Sequence, residues 1–291
     1  MTAGRTGSAV RWPQNFMFRS SQRPYEAGSS FKPAFLFLKP EQRRALSALY
    51  GYARAVDDIA DDAAAAPEAK EAALAAWKTR IDALFGGAPP QNPLEEDLSR
   101  AASAFSMRKE NLLLILEGVG MDARKKEYAS FDELKHYMYR VASAVGLACL
   151  EIFGWRGPGA AAYAENLGYA VQLTNIIRDV FEDASLGRVY LPLEDLKKFG
   201  VSSFENSIYP DNFIELMRFE AARAREFYSL ARGLAAGPEK KNLLSAFIMA
   251  QVYSDLLDKI EARGFKTAGP RIRLNGPEKL RALYRAWRKT R

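Results

Sequence analysis

The chain has very few of the residues that build disulfides and histidine metal sites. Its 291 residues include one cysteine, Cys149, and one histidine, His136. A single cysteine excludes an internal disulfide and fits a reducing cytoplasm, and we expect Cys149 to be a small buried residue. A single histidine excludes a zinc site built from several histidines. Any metal held by this protein is therefore expected to have oxygen ligands.

Long apolar runs are also missing. The best ones, at 112–116 and 144–150, fall far short of the roughly 20 residues that a membrane-spanning helix needs. The N-terminal residues 1–14 have no apolar core of the signal-peptide kind. These absences favour a protein of the cytoplasm, with association at the inner membrane face left open.

Most of the chain is patterned as helix, and no segment of convincing length alternates like a strand. Pro40 starts the first helix, in which Leu46, Leu49 and Val56 recur at helical spacing. Clusters of glycine and proline separate the helical segments. The predicted helices are 40–62, a second reaching about residue 85, 95–106, 109–126, 131–153, 159–185, 211–235 and 240–262. The sequence therefore predicts an all-α protein.

Two aspartate-rich clusters are the main functional signal. The first is DDIADD, beginning at Asp57, and the second is DVFED, beginning at Asp179. Each cluster contains two aspartates four residues apart, which lie on the same face of a helix and repel one another. Hard oxygen ligands of this kind suit Mg²⁺. Two such faces turned toward each other would hold Mg²⁺ against a substrate diphosphate.

The helix of the second cluster carries a polar stripe. Gln172, Asn175, Asp179 and Asp183 follow one another at gaps of three and four residues, in a helix that is apolar on most sides. Buried polar groups need partners, and a cavity with metal, water and a charged ligand supplies them. One aspartate pair alone is more often a solvated helix face. Two equal pairs in apolar helices favour a site.

Arg54 lies one turn before the first cluster. It can neutralise the aspartates or contact a phosphate, and both interpretations stay open. Further along, 118–123 matches the dinucleotide-binding pattern GxGxxA. That pattern has meaning only between a strand and a helix. In an all-α chain we expect it to mark the kink or end of a helix.

The net charge of +7 is concentrated at the C-terminus. Residues 271–291 contain eight lysines and arginines against one acid, Glu278, and form a basic amphipathic helix. This pattern suits an anionic membrane surface, and it equally suits a terminal helix docked on the body. Nucleic acid is not expected as a partner, because the charge is confined to one tail without a binding motif. The apolar positions of the helix are Leu280, Leu283, Tyr284 and Trp287.

Five motifs together resemble the squalene/phytoene synthase family, over about 29–273. They are Ser30-Phe31, YGYARAVDDIADD (50–62), YRVASAVG (139–146), QLTNIIRDVFED (172–183) and GRVYLP (187–192). The resemblance implies a single-domain, isoprenoid-synthase-type helical bundle around a central cavity, which joins two prenyl diphosphates head to head. It divides the chain into an N-terminal extension (1–28), the prenyl synthase domain (29–274) and the basic helix (275–291).

The resemblance also implies roles for individual residues. The expected Mg²⁺ ligands are Asp57, Asp61, Asn175, Asp179 and Asp183. The expected substrate-binding residues are Ser30, Phe31, Tyr50, Arg54, Ala142, Val145, Gly146, Gln172, Asn175, Arg178, Tyr253 and Arg271. Catalysis is assigned to the four aspartates, Arg54 and Tyr137, whose ring would stabilise a carbocation. Lys32 and Pro33 depart from the family, where aromatic residues are common.

Within the family, the motifs GMD (120–122) and RVASAVG are most similar to bacterial presqualene diphosphate synthases, linked to hopanoid biosynthesis. This similarity implies a Mg²⁺-dependent condensation of two farnesyl diphosphates. Squalene, dehydrosqualene and phytoene synthases are the alternatives within the family, and NADPH is expected only for squalene. A family-derived scaffold protein and a head-to-tail prenyltransferase or terpene cyclase are alternatives outside it.

Overall fold

The computed structural model describes residues 37–62, 64–124, 127–204, 208–235 and 243–290, and these residues form an all-α fold, as predicted. The predicted extension 1–28 and the predicted substrate contacts Ser30 and Phe31 lie outside the described residues. The helices are α1 Pro40–Asp61, α2 Pro67–Phe85, α3 Pro93–Phe105, α4 Lys109–Arg124, α5 Phe131–Met138, α6 Ala144–Phe153, α7 Ala160–Ser185, α8 Leu193–Phe199, α9 Asp211–Leu234, α10 Leu244–Ala262 and α11 Gly276–Lys289.

Most helix bounds agree with the sequence pattern, with two differences. The helix predicted over 131–153 is interrupted by a π-helical turn, Tyr139–Ser143, between α5 and α6. The short helix α8 was not predicted, since seven residues are too few to show a helical period. Within the described part of the chain, no helix is long and apolar enough to cross a membrane.

Helix α7 is the central element of the fold. It packs against α9 along its length and also contacts α6, α10 and the π-helical turn. Its apolar residues, such as Leu173 and Ile177, are fully buried. On the other side of the molecule, α1 packs against α2, α3, α4 and α6. The polar stripe of α7 and the polar face of α1 are thereby left at a shared cavity.

Two glycines hold the π-helical turn between α4 and α7. A Cβ added to Gly168 of α7 would lie 2.6 Å from the backbone nitrogen of Ser143. A Cβ added to Gly118 of α4 would lie 2.7 Å from Cγ1 of Val141. Helix α4 continues through Gly118 and ends at Arg124, directly after the 118–123 motif, so the motif marks the end of a helix, which is one of the two expected outcomes. Gly118 itself allows close helix packing.

This packing predicts that Gly168→Ala destabilises the protein by about 1–3 kcal/mol, because an added methyl group overlaps backbone atoms that cannot move aside. The matched control is Gly233→Ala near the end of α9, where an added Cβ meets no atom within 4 Å. The control is expected to gain about 0.5–1 kcal/mol from the higher helix propensity of alanine. Thermal unfolding of both variants measures the difference, and equal melting temperatures would contradict the packing argument.

Candidate active site

A cavity of about 560 Å³ lies between α1 and α7 and is closed on one side by the segment before α11. The lining of this cavity includes both charged and apolar side chains. The charged ones include both predicted aspartate pairs, so two faces far apart in the sequence meet at one cavity, as expected. Its acidic and basic members are Arg54, Asp57, Asp61, Asp122, Arg178, Asp179, Asp183, Arg188, Arg271, Arg273 and Lys279. The apolar members include Val141, Ile176, Val252, Leu256, Ile272 and Leu274.

An arginine from the turn after α7 contacts the first aspartate pair on α1. Nη2 of Arg188 donates a hydrogen bond to Oδ1 of Asp61 at 3.0 Å. Arg188 lies in the turn after α7, and this turn is anchored to the segment before α5 by a bridge between Val189 and Glu127. Arg188 belongs to the GRVYLP motif, but no role was predicted for it.

In the second aspartate pair, Asp179 binds two arginines. Asp179 is 9% exposed and accepts hydrogen bonds from the neighbouring Arg178, with Nε 2.7 Å from Oδ1. It also accepts from Arg271, whose Nε lies 3.2 Å from Oδ1 and whose Nη2 lies 2.5 Å from Oδ2. Arg271 precedes α11, so this contact ties the C-terminal part of the chain to the cavity.

The remaining two aspartates have raised pKa values. Removal from bulk water, followed by the charges of Asp122 and Asp61, raises the pKa of Asp57 to about 7. Removal from bulk water, followed by the charge of Asp179, raises the pKa of Asp183 to about 7. Both side chains can be reached from the cavity, yet the surrounding protein limits their hydration. These carboxylates are stabilised in their charged form only when a cation joins them.

Arg54 was predicted either to neutralise the aspartates or to contact a phosphate, and in the structure it pairs with Asp58. Its Nε lies 3.0 Å from Oδ1 of Asp58, on the outer side of α1, and both side chains are more than half exposed. Asp58 does not line the cavity, whereas Arg54, Asp57 and Asp61 do.

An aspartate that the sequence did not single out lies at the centre of the site. Asp122, on α4, accepts hydrogen bonds from the hydroxyls of Tyr137 and Tyr190, each at 2.8 Å. The two tyrosine rings stack with centroids 5.4 Å apart, and Tyr128 stacks on Tyr190 at 5.9 Å. The signal for Asp122 was present in the GMD motif, but its partners come from distant segments. The three rings form an aromatic wall beside the aspartates.

The predicted substrate-binding residues separate into two groups. Tyr50, Arg54, Gln172, Asn175, Arg178, Tyr253 and Arg271 line the cavity, as does the predicted catalytic Tyr137. Ala142, Val145 and Gly146 are not among its lining residues, and Val141 lies there instead. A Cβ on Gly146 would lie 3.2 Å from the carbonyl oxygen of Ala164 on α7. Ala142 lies within the π-helical turn, and Val145 and Gly146 follow the turn at the start of α6.

The oxygen donors around the cavity suit the Mg²⁺ that the sequence predicts. In the described part of the chain, no three acidic, cysteine or histidine side chains are already grouped as a metal cage. The available donors are nevertheless carboxylate and amide oxygens, which Mg²⁺ prefers. Burial raises the pKa of Asp57 and of Asp183 to about 7, and a divalent cation would favour the charged form of both. The residues present therefore fit a divalent cation.

Comparisons with known proteins identify the family. Residues 25–278 match the model of the squalene/phytoene synthase family. The chain belongs to this family. It is accordingly an enzyme of the prenyltransferase class, which disfavours the scaffold alternative.

Named relatives include two kinds of synthase. The presqualene diphosphate synthase of Zymomonas mobilis is 36% identical over 252 residues, covering 85% of each chain. The presqualene diphosphate synthase of Sinorhizobium fredii is 33% identical over 275 residues, covering 91% of this chain and 95% of that one. The 15-cis-phytoene synthase of Synechocystis is 34% identical over 267 residues, covering 87% and 78%.

Solved structures confirm the predicted fold class. A dehydrosqualene synthase bound to a ligand superposes with a TM-score of 0.82 at 26% identity, covering 90% of this chain and 92% of that one. Squalene synthase HpnC from Alicyclobacillus acidocaldarius superposes with a TM-score of 0.74 at 24% identity, covering 83% and 91%, and supports the fold alone.

Proposed function

We propose that this enzyme condenses two molecules of farnesyl diphosphate head to head into presqualene diphosphate, with Mg²⁺. The observation that carries the proposal is the meeting of two aspartate pairs and several arginines at one cavity that is also lined by apolar side chains. The relatives from Z. mobilis and S. fredii, named presqualene diphosphate synthases, support this product. Phytoene is the second candidate product, because a phytoene synthase matches at nearly the same identity.

The proposed ligands of Mg²⁺ are Asp57 and Asp61 on α1 and Asn175, Asp179 and Asp183 on α7. When bound, Mg²⁺ would neutralise the charge that develops on a leaving diphosphate.

Arginines and a tyrosine at the same cavity would bind the diphosphates. Arg178 and Arg271 already surround Asp179, and Arg54 extends from α1 at the cavity edge. A guanidinium donates two parallel hydrogen bonds to phosphate oxygens, so these side chains would orient the ester bond that breaks. Tyr50 lines the same region and would donate a further hydrogen bond.

The apolar side chains that line the cavity would protect the allylic cation that forms when the diphosphate leaves. Val252, Leu256 and Ile272 offer no nucleophile and exclude water. The aromatic wall, which includes Tyr137 and Tyr190, presents π systems that stabilise a nearby positive charge. The double bond of the second farnesyl chain then attacks this cation, and loss of a proton closes the cyclopropane.

The proton of this last step needs an acceptor. Burial, followed by the charge of Asp122, raises the pKa of Tyr137 well above its ordinary value. Tyr137 therefore remains a neutral phenol, and its hydroxyl proton is already donated to Asp122. We propose that the released diphosphate accepts the proton.

The first test of the proposed function compares two neighbouring aspartates. Asp57→Asn is expected to lower turnover at least about a hundredfold, because it removes a charge from the centre of the electrostatic site. Purified protein is incubated with farnesyl diphosphate and Mg²⁺, and the lipid extract is analysed by mass spectrometry for presqualene diphosphate. Geranylgeranyl diphosphate, NADPH and EDTA are added in parallel to distinguish phytoene, squalene and metal-independent products.

The matched control is Asp58→Asn, which removes the same charge one residue away on the outer side of α1. Since exposed ion pairs contribute little, this variant is expected to keep turnover within about threefold of the wild type. Equal turnover by the two variants would contradict the assignment of Asp57. If a product forms only from geranylgeranyl diphosphate, the proposed product is phytoene rather than presqualene diphosphate.

We also propose that α11 attaches the enzyme to an anionic membrane surface. The helix buries two alanines and exposes three of its four large apolar residues, whereas Leu283 packs against the core. Ala282 and Ala286 are 0% exposed, whereas Leu280 is 70% and Tyr284 is 58% exposed. The exposed Trp287 lies with its ring 6.1 Å from that of Tyr284.

The helix is also fixed to the body, so docking and membrane contact are compatible. Lys259 and Glu278 form an ion pair at 2.7 Å, and Arg285 and Asp255 form another at 3.0 Å. Lys279 of the same helix lines the cavity. A membrane at the apolar face would therefore lie beside the site, where a lipid product leaves.

The membrane proposal predicts that replacing Leu280, Tyr284 and Trp287 together by serine weakens binding to anionic vesicles at least about tenfold, because it removes the apolar area that enters the interface. Vesicle co-sedimentation at low and high salt measures the change. Leu230→Ser, which alters an exposed leucine on α9, serves as the control and is expected to bind like the wild type. Equal binding by the triple variant, or binding to neutral vesicles only, would contradict an anionic surface.

A further inference from the structure

In each aspartate pair, one member is bound to arginine and the other is not. Asp61 accepts a hydrogen bond from Arg188, and Asp179 accepts from Arg271 as well as from its neighbour Arg178. Among the described residues, no arginine is hydrogen-bonded to Asp57 or Asp183. In the metal-free cavity, guanidinium groups are thus bound to two of the four aspartates among the proposed metal ligands.

Arg188 and Arg271 both lie outside the helices. Arg188 lies in the turn between α7 and α8, and Arg271 lies in the non-helical stretch between α10 and α11. Their side chains are 22% and 45% exposed, so neither is locked in the core. Either guanidinium can change its partner without breaking a helix, and both face the cavity in which a diphosphate would lie.

We propose that Arg188 and Arg271 occupy the places of divalent cations in the metal-free enzyme, and that cation binding transfers both guanidinium groups from their aspartates to the diphosphate. This inference rests on the proposed function. A metal ion and a guanidinium compete for the same carboxylate oxygens and repel each other once both are present. The diphosphate, which is strongly anionic, then offers the arginine a new bidentate partner.

The experiment separates metal binding from diphosphate binding. Wild type and Arg188→Gln are titrated with MnCl₂ alone by calorimetry, and then with inorganic pyrophosphate at saturating Mn²⁺. The variant is expected to bind Mn²⁺ about threefold to tenfold tighter, since Asp61 is freed, and pyrophosphate about tenfold weaker, since a bidentate donor is lost. A merely structural arginine would weaken both affinities, and a simple diphosphate ligand would change only the second.

Three further variants test whether the gain in Mn²⁺ affinity comes from the contact with the aspartate rather than from charge alone. Arg54→Gln removes the same charge from the cavity edge, but its guanidinium is paired with Asp58, which is not a proposed ligand. Its gain in Mn²⁺ affinity is expected to be smaller than that of Arg188→Gln. Arg271→Gln should also gain less, because Arg178 still holds Asp179. Arg225→Gln, in an ion pair with Asp258 outside the cavity, should change neither affinity.

Unchanged or weaker Mn²⁺ binding by Arg188→Gln would overturn the exchange, as would an equal gain in Arg54→Gln. In both cases the wild type would still bind Mn²⁺ with pyrophosphate, so the proposed function would stand. If the wild type itself fails to bind Mn²⁺ in the presence of pyrophosphate, the proposed function fails together with the exchange.

Discussion

The enclosure of four like-charged carboxylates in one cavity is the constraint on which the site depends. Limited hydration, followed by the charges of neighbouring aspartates, raises the pKa of Asp57 and of Asp183 to about 7. Asp61 and Asp179 are paired with arginines. The cluster of carboxylates destabilises the free protein, and bound cations with a diphosphate would remove this destabilisation. The same four aspartates therefore lower the stability of the free protein and provide the binding site for the ligand.

The rest of the fold serves to keep this cluster beside an apolar space. Helix α7 is buried on most sides, so its polar stripe can face only the cavity. Gly118 and Gly168 let α4 and α7 approach the π-helical turn closely, and that turn sets the position of Val141 in the cavity lining. Asp122 fixes the hydroxyls of Tyr137 and Tyr190 and thereby the aromatic wall. Charge and apolar surface thus meet within one cavity, as ionisation of a prenyl diphosphate requires.

Helical periodicity was enough to predict the helices and the two aspartate faces, because both depend on local spacing. The family resemblance added most of the arginines and tyrosines at the cavity. The π-helical turn could not be predicted, since one extra residue leaves no signal in a periodic pattern. The family resemblance placed Ala142, Val145 and Gly146 at the cavity, whereas Val141 of this turn is the residue that lines it. The partners of Asp122 and Arg188 could not be predicted either, because tertiary packing alone brings Tyr190 and Asp61 to them.

The central claim is that the two aspartate pairs jointly bind divalent cations with a diphosphate. The most direct measurement is the crystal structure of the protein with Mn²⁺ and pyrophosphate, with anomalous scattering used to locate the metal. The account predicts anomalous peaks in the cavity, within about 2.0–2.3 Å of carboxylate oxygens from both α1 and α7, with pyrophosphate bridging them. Peaks only at the protein surface, or pyrophosphate bound without metal and away from both aspartate pairs, would contradict it.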